Sequence, residues 1–312
     1  MSSLLIHLAL IGSATAADLD VDGVTVTMDG TQAYDNINVI NGGSIVVTDY
    51  DGTGTTGTLT LIADSVTIDA TSSIVATGAG YRGQSNADGE GPAGGAGGAL
   101  YEDSGGGGAH GGDGGDGVLD DNSGPDGLGG TAYGDATSLS VDMGSAGGAA
   151  GNADGDDGGS GANGGGSVSI QAATVSISGT IVLDGDTGIL TNNDAAGGGA
   201  GGGLLIQSDT LFCSGTVSAI GGDGAQIDDA GGGGGGGVIK QFYDTSGTTC
   251  TVDVSGGSGP GGATDGGGGV DSDDTVDFDG DGYTFADGDC DTTDATINPG
   301  ASEVDGNTVD ED

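Results

Sequence analysis

Basic residues are almost absent from this chain of 312 residues, which has 2 Lys+Arg against 48 Asp+Glu and a formal net charge of -46. Phosphate binding needs clustered lysine and arginine, so nucleic-acid binding is excluded and anionic membranes are disfavoured as partners. So acidic a surface attracts cations, and a saline or calcium-rich medium would screen its self-repulsion. The charge therefore predicts divalent cations as partners.

Aromatic residues are also scarce, with no tryptophan, 7 Tyr and 4 Phe. This composition does not favour carbohydrate recognition on exposed aromatic platforms. Cysteine occurs only at Cys213, Cys250 and Cys290. In an oxidising compartment we expect a bridge between Cys213 and Cys250 that leaves Cys290 unpaired; the alternative is three free thiols.

The residues that polysaccharide-cleaving enzymes use are sparse. A lyase acting on an anionic sugar needs arginine or lysine at its substrate, and the chain has only Arg82 and Lys240. A hydrolase would use paired aspartates, but pairs such as Asp184 and Asp186 lie in glycine loops without basic neighbours. We therefore expect no enzyme; the alternative is a β-helical polysaccharide lyase or glycoside hydrolase with a calcium-binding tail.

The first residues indicate export. An apolar run over Leu4–Ile11 precedes the A-x-A sequence at residues 14–16, which predicts a signal peptide over residues 1–16. No later apolar segment is long enough to span a bilayer. We expect a secreted protein, extracellular or at the cell surface, whose mature chain does not insert into membranes.

Glycine is abundant, with 77 residues, and it separates copies of a repeat. Residues 168–183 and 204–219 match at an offset of 36, including Ile170 with Ile206 and Gln171 with Gln207. An earlier copy begins at Leu59 and a degenerate one at Val238, and each copy ends in a glycine-rich tract. Such self-similarity predicts a stacked repeat architecture.

Each copy alternates apolar and polar residues, as Val168, Ile170 and Ala172 do, which predicts half-buried strands. Two short strands, a corner at Ser-Gly-Thr and a third strand describe one coil of a β-solenoid. We therefore expect an all-β chain: a β-solenoid with long glycine-rich loops over residues 17–269, then a small loop-rich cation-binding segment over residues 270–312. Residues 78–166 are either a flexible insertion or glycine loops packed along the solenoid.

The region from Leu59 to Val254 resembles the glycine-rich, right-handed β-helices of secreted bacterial surface proteins of the adhesin and pectin-lyase-like type. That resemblance implies a right-handed helix and a structural or adhesin-like role. It implies extracellular matrix or other surface proteins as partners.

Aspartates alternate around glycines near the C-terminus, in Asp277-Phe-Asp279-Gly-Asp281-Gly-Tyr283 and again in residues 287–294. Hard divalent cations need six to eight oxygen ligands, and such spacing supplies several from one turn. The twelfth position from Asp277 is Gly288 rather than glutamate, so the loop is not an EF-hand. The alternative is a solvated acidic tail.

The two acidic runs, with the Asn-Pro-Gly-Ala-Ser-Glu sequence that follows them, resemble the MopE-type metal-binding motif of exported bacterial proteins, which is similar to thrombospondin type 3 calcium repeats. That motif usually continues with a second cysteine, and residues 304–312 contain none, so Cys290 lacks its expected mate. Calcium is the expected ion; copper is less favoured because it prefers softer ligands and the segment offers only Cys290. The metal ligands implied by the resemblance are Asp277, Asp279, Asp281, Asp287, Asp289, Asp291 and Asp294.

Overall fold

The computed structural model of the chain describes residues 17–98, 104–118, 127–151, 159–191, 194–227, 229–275, 282–283, 295–298 and 300–301. These residues form an all-β structure whose only helical element is a 3-10 turn, Pro260–Gly262. No helix in this described part is long and apolar enough to cross a membrane. The strands are β1 (Leu19–Asp22), β2 (Thr25–Met28), β3 (Gly30–Ala33), β4 (Asn36–Ile40), β5 (Ser44–Val47), β6 (Thr58–Ile68), β7 (Ser73–Val75), β8 (Ser167–Ile177), β9 (Thr180–Val182), β10 (Leu190–Thr191), β11 (Asp194–Ala195), β12 (Gly203–Cys213), β13 (Thr216–Ser218), β14 (Val238–Thr248), β15 (Thr251–Asp253) and β16 (Val270–Thr275).

Two parallel sheets contain nearly all of these strands. The larger has eight strands in the order β1-β4-β6-β8-β12-β14-β16, with β3 also beside β6. The smaller has six strands in the order β15-β13-β9-β7-β5-β2. From β6 to β15, each repeat gives a long strand to the larger sheet and the next short strand to the smaller one. This parallel, helix-poor architecture is consistent with the solenoid-like class that the sequence predicts.

The strand register confirms the predicted repeat. Ile170 pairs with Ile206, and Gln171 with Gln207, across β8 and β12. In the next coil Leu204 pairs with Ile239, so the degenerate copy begins one residue later than the Val238 that the sequence predicts. Copies that match in sequence therefore lie side by side and bury equivalent apolar residues in one continuous core.

The long strands correct one detail of the predicted coil. β8 is a single strand of 11 residues in which the two predicted short strands are joined. Val168, Ile170 and Ala172 are buried, and the alternation then slips so that Val175 and Ile177 are buried. Side chains of a strand alternate between its faces, so this slip turns the strand while parallel pairing with β12 continues on both sides.

Ladders of aliphatic side chains fill the space that the two sheets enclose. Leu59, Val168, Leu204 and Ile239 occupy matching positions on four neighbouring strands, and each is at most 1% exposed. Burying one such side chain contributes roughly 1.5–3 kcal/mol. The core therefore grows with each added coil. A disulfide between Cys213 and Cys250 joins two successive coils, as the sequence analysis prefers.

A second buried region consists largely of glycine and alanine. We call it the glycine bundle; it comprises the described parts of residues 76–166, 183–202, 219–237 and 254–269. Its segments run outward from the ends of the short strands and return to the starts of the long strands. Of the described residues from 78–166, those at 104–110 and 143–151 are buried within it, and many are hydrogen-bonded to the other segments.

Backbone hydrogen bonds in the glycine bundle point in three directions. A β-strand bonds to neighbours on two sides, whereas a polyproline II helix has three residues per turn and can bond to three. Six successive N–H groups of one segment follow that three-residue period, and every third group donates to the same neighbouring segment. Gly197 donates to Gly148 and Ala200 to Ser145; Gly198 donates to Gly232 and Gly201 to Gly235. Gly199 donates to Asp186 and Gly202 to Leu183.

Candidate functional site

The seven aspartates predicted to bind metal lie outside the described residues: Asp277, Asp279, Asp281, Asp287, Asp289, Asp291 and Asp294. The strand leading to them is described. β16 pairs with β14 as far as Thr275, which lies opposite Tyr243, and it is the last strand of the larger sheet. The acidic motif therefore begins two residues beyond the edge of the stack.

Two short pieces of the motif are described. Gly282 has a φ of 97°, in the left-handed region that favours glycine, so the backbone bends there. Near the end of the motif, the Asn298 side chain accepts the N–H of Gly300 at 2.9 Å and donates to the carbonyl of Ala295 at 3.3 Å. Within the described residues, no three histidine, cysteine, aspartate or glutamate side chains are grouped to hold a metal.

The guanidinium group of Arg82 makes structural contacts with neighbouring loops. Its guanidinium makes a two-pronged ion pair with Glu90, with N–O distances of 2.8 and 3.0 Å, which lowers the pKa of that carboxyl group. The same group donates to the carbonyl of Asp51 at 3.0 Å and lies 5.9 Å from the ring centre of Tyr50. Arg82 therefore fastens two loops.

Lys240 is buried, with an exposed fraction of 1%. Its ammonium donates to the carbonyls of Asp135, Ser138 and Ser140, and to the hydroxyl of Ser138, so the charge is solvated by backbone. Burial lowers its pKa. Lys240 thus holds the segment 135–140 against the outer face of the larger sheet and is not accessible to a substrate.

His110 is buried in the glycine bundle, with an exposed fraction of 1%. Its Nδ1 lies 2.9 Å from the carbonyl oxygen of Gly201, and its ring centre lies 5.0 Å from that of Tyr133. Burial lowers the pKa of the imidazole from its ordinary value of 6.5, because the charged form would lose its hydration. This arrangement favours a neutral, structural histidine.

Because His110 is buried, we expect the folded protein to lose stability in mild acid. Below its ordinary pKa of 6.5 the unfolded chain takes up a proton that the folded chain resists, so the free energy of unfolding falls as pH falls. Between pH 7.5 and 5.5 we expect a loss of up to about 1.4 kcal/mol from this group. Urea unfolding at both pH values measures it. The His110→Gln variant should lose that part of the pH dependence; an unchanged pH dependence would contradict the assignment.

The described aspartates of the enzyme alternative, from the pairs Asp184 and Asp186 and Asp228 and Asp229, are hydrogen-bonded or buried. Asp184 accepts the N–H of Ile220 at 2.9 Å. Asp186 is half-buried, which raises its pKa, and Asn163 donates to it at 3.4 Å. Asp229 is buried, whereas Asp228 lies outside the described residues. The described members of these pairs are built into the glycine bundle.

The outer turns of the glycine bundle lie at one end, which we call the distal end. Backbone hydrogen bonds join neighbouring segments near these turns: Gly105 to Ala195, Val118 to Ala230, Gly188 to Asp223, and Gly224 to Ser258. The described residues that flank these bonds therefore lie side by side.

A shallow cavity of about 370 Å³, which we call the distal groove, opens between the last three outer turns. Leu190, Ala225 and Pro260 supply apolar atoms to its lining. Asp223, Gln226 and Ser258 supply polar atoms, and the Asp223 carboxylate accepts the N–H of Ser258 at 2.7 Å. The sequence analysis missed this groove; its signal was the few large apolar residues that interrupt the glycine tracts, such as Ile189 and Leu190.

Comparisons of the chain with protein-family models, with curated proteins and with solved structures find no match.

Proposed function

We propose that the chain is a secreted, non-catalytic surface protein, structural or adhesin-like, that binds calcium through residues 270–312. The observation that carries the proposal is the position of β16. This strand is the last of the series of parallel strands, and in sequence it leads directly into the alternating aspartates.

The stack itself is proposed to be a right-handed β-helix that serves as a stalk or spacer. Support comes from the two parallel sheets, whose inward side chains share one core. The Cys213–Cys250 disulfide supports export, because such bridges persist in oxidising compartments. Matrix or other surface proteins are the partners that this role implies.

The contacts of Arg82, Lys240 and His110 support the proposal that the chain is not catalytic. Arg82 is paired with Glu90, and Lys240 and His110 are buried against backbone carbonyls. A lyase or hydrolase on this frame would need such groups open to substrate. No contact among the described residues favours the enzyme alternative.

Calcium binding is supported by the chemistry of the donor set. Residues 271–312 contain alternating aspartates, no lysine or arginine, no histidine and no methionine. Carboxylates with Cys290 as the one softer ligand of the segment suit calcium better than copper. The resemblance to the MopE-type motif implies that the seven aspartates from Asp277 to Asp294 would hold the calcium ion. Without cation these charges repel one another, so binding is expected to order the segment.

Calorimetric titration of calcium into the chelator-treated, full-length protein tests this proposal. We expect saturable binding, with a change in the circular dichroism spectrum as the segment orders. The Asp279→Asn/Asp281→Asn double variant should lose at least one binding event, because it removes two central carboxylates without changing size.

A matched control separates specific binding from general charge. Asp20→Asn/Asp64→Asn removes the same two charges at exposed positions within the sheets. It should bind calcium as the parent does. If the parent takes up no calcium at millimolar concentration, or if both double variants weaken binding equally, residues 270–312 are only a solvated acidic tail.

A further inference from the structure

We propose that the distal groove docks a positively charged polypeptide segment that inserts an aliphatic or aromatic side chain between the outer turns. The inference rests on the proposed function as a surface protein and names the surface that would contact a partner. It uses residues at the opposite end of the glycine bundle from the sheets, separate from the predicted calcium ligands.

Apolar side chains are exposed at the distal end. Ile189 is 50% exposed, Leu190 is 47% exposed and Ile227 is 48% exposed. Leu190 lines the groove, and Ile189 and Ile227 are adjacent in sequence to lining residues. Leu128, in another segment of the glycine bundle, is 57% exposed. The interior of the glycine bundle avoids large side chains, so their concentration at its tips is not required by packing. Exposed apolar groups around a concave site are typical of interaction surfaces.

The groove is built on a rigid frame. The N–H of Gly188 donates to the carbonyl of Asp223, and that of Gly224 donates to the carbonyl of Ser258, so the three turns are joined in sequence. Each segment is also bonded to its own returning partner, as in the bond from Gly231 to Ala225. A preformed site loses little conformational entropy on binding, which favours affinity.

The negative charge of the chain favours a positively charged partner at the groove. Asp223 lines the groove, and residues 187–196, 223–231 and 258–265 contain no lysine or arginine. The chain as a whole has a net charge of -46. A basic polypeptide would be attracted to this surface and oriented on it, whereas nucleic acid and anionic membranes would be repelled. The apolar lining adds a requirement that charge alone does not meet, namely a side chain that fills the groove.

Fluorescence polarisation with labelled peptides tests the inference on the full-length, calcium-saturated chain at physiological ionic strength. One peptide repeats Lys-Gly-Phe-Gly three times; a second replaces each phenylalanine with glycine, and a third replaces each lysine with glutamate. We expect saturable binding of the first, at least about tenfold weaker binding of the second, and none of the third.

Two double variants test whether the Lys-Phe peptide binds at the distal groove. Leu190→Ser/Ile227→Ser should weaken binding of the Lys-Phe peptide about tenfold, because it removes one apolar side chain that lines the groove and one that follows the lining residue Gln226. Val24→Ser/Leu139→Ser changes two residues of comparable exposure elsewhere and should have no effect. Both variants should keep the parent's unfolding midpoint, since these side chains are half-exposed.

Three results would overturn the inference. They are equal binding of the peptide that lacks phenylalanine, equal weakening by the two double variants, and stronger binding to neutral phosphatidylcholine vesicles than to the Lys-Phe peptide. The calcium titration is read separately with the aspartate variants, so failure of the calcium site and failure of the groove are distinguishable.

Discussion

Replacing Gly107 with alanine is expected to lower the free energy of unfolding by about 3 kcal/mol. A Cβ atom at this position would lie 1.9 Å from the carbonyl oxygen of Gly233 and 2.5 Å from its carbonyl carbon. Both contacts are to backbone, which cannot rotate away as a flexible side chain can. Urea unfolding of the variant, followed by circular dichroism, measures the loss.

Gly233 cannot move without breaking other bonds. Its carbonyl accepts the N–H of Gly115 at 2.8 Å, and its N–H donates to Thr264 at 3.1 Å. Gly107 is fixed in turn, because it donates to Gly115 and accepts from Gly130. Accommodating one methyl group would therefore separate several segments of the glycine bundle and weaken several hydrogen bonds together.

Gly268→Ala is the matched control. A Cβ atom there would meet nothing within 4 Å, and the backbone is not in the left-handed region. Alanine restricts the unfolded chain, so this change should be neutral or stabilise the fold by up to about 1 kcal/mol. Equal, small effects of the two substitutions would show that the glycine bundle is loosely packed and would contradict the close approach of its segments.

The glycine bundle explains how a chain with 77 glycines can fold. Glycine loses more backbone entropy on folding than any other residue, and long glycine tracts usually remain disordered. Here the absence of side chains lets each segment approach several others and hydrogen-bond in three directions. Close backbone packing and a dense hydrogen-bond network offset the entropy, much as side-chain burial does between the two sheets.

The strands were predictable because their side chains carry the signal. Alternation at Val168, Ile170 and Ala172 marks a half-buried strand, and the matching residues at the 36-residue offset mark its neighbour. The glycine bundle has no such pattern, because its contacts are made by backbone atoms that every residue shares. Sequence reasoning therefore left residues 78–166 open between a flexible insertion and packed loops.

Functional positions also differ in whether the local sequence predicts them. The bend at Gly282 follows from local sequence, since an aspartate-glycine turn favours a left-handed glycine. The burial of Lys240 does not, because it depends on carbonyls about 100 residues earlier in the chain. The distal groove likewise depends on three turns that only the stacking of repeats brings together. Long-range contacts of this kind leave no local pattern to read.

Removing the Cys213–Cys250 disulfide is expected to destabilise the protein by about 3–4 kcal/mol, because the bridge closes a loop of 37 residues in the unfolded chain. Both cysteines are buried, at 1% and 8% exposed, so alanine is the suitable replacement. The Cys213→Ala/Cys250→Ala variant should unfold at lower urea concentration than the parent. It should retain parallel β structure, because the strands on either side remain paired through backbone hydrogen bonds.

Two further measurements make that result specific to the bridge. Cys290→Ala should leave stability unchanged, whereas reduction of the parent with dithiothreitol should reproduce the loss seen in the double variant. The chain has only 2 Lys+Arg, so intact mass after alkylation is more informative than tryptic mapping. Without reductant the denatured protein should take up one alkyl group, at Cys290. Uptake of three groups would mean that Cys213 and Cys250 are free thiols, and their substitution would then cost only the packing of two small side chains.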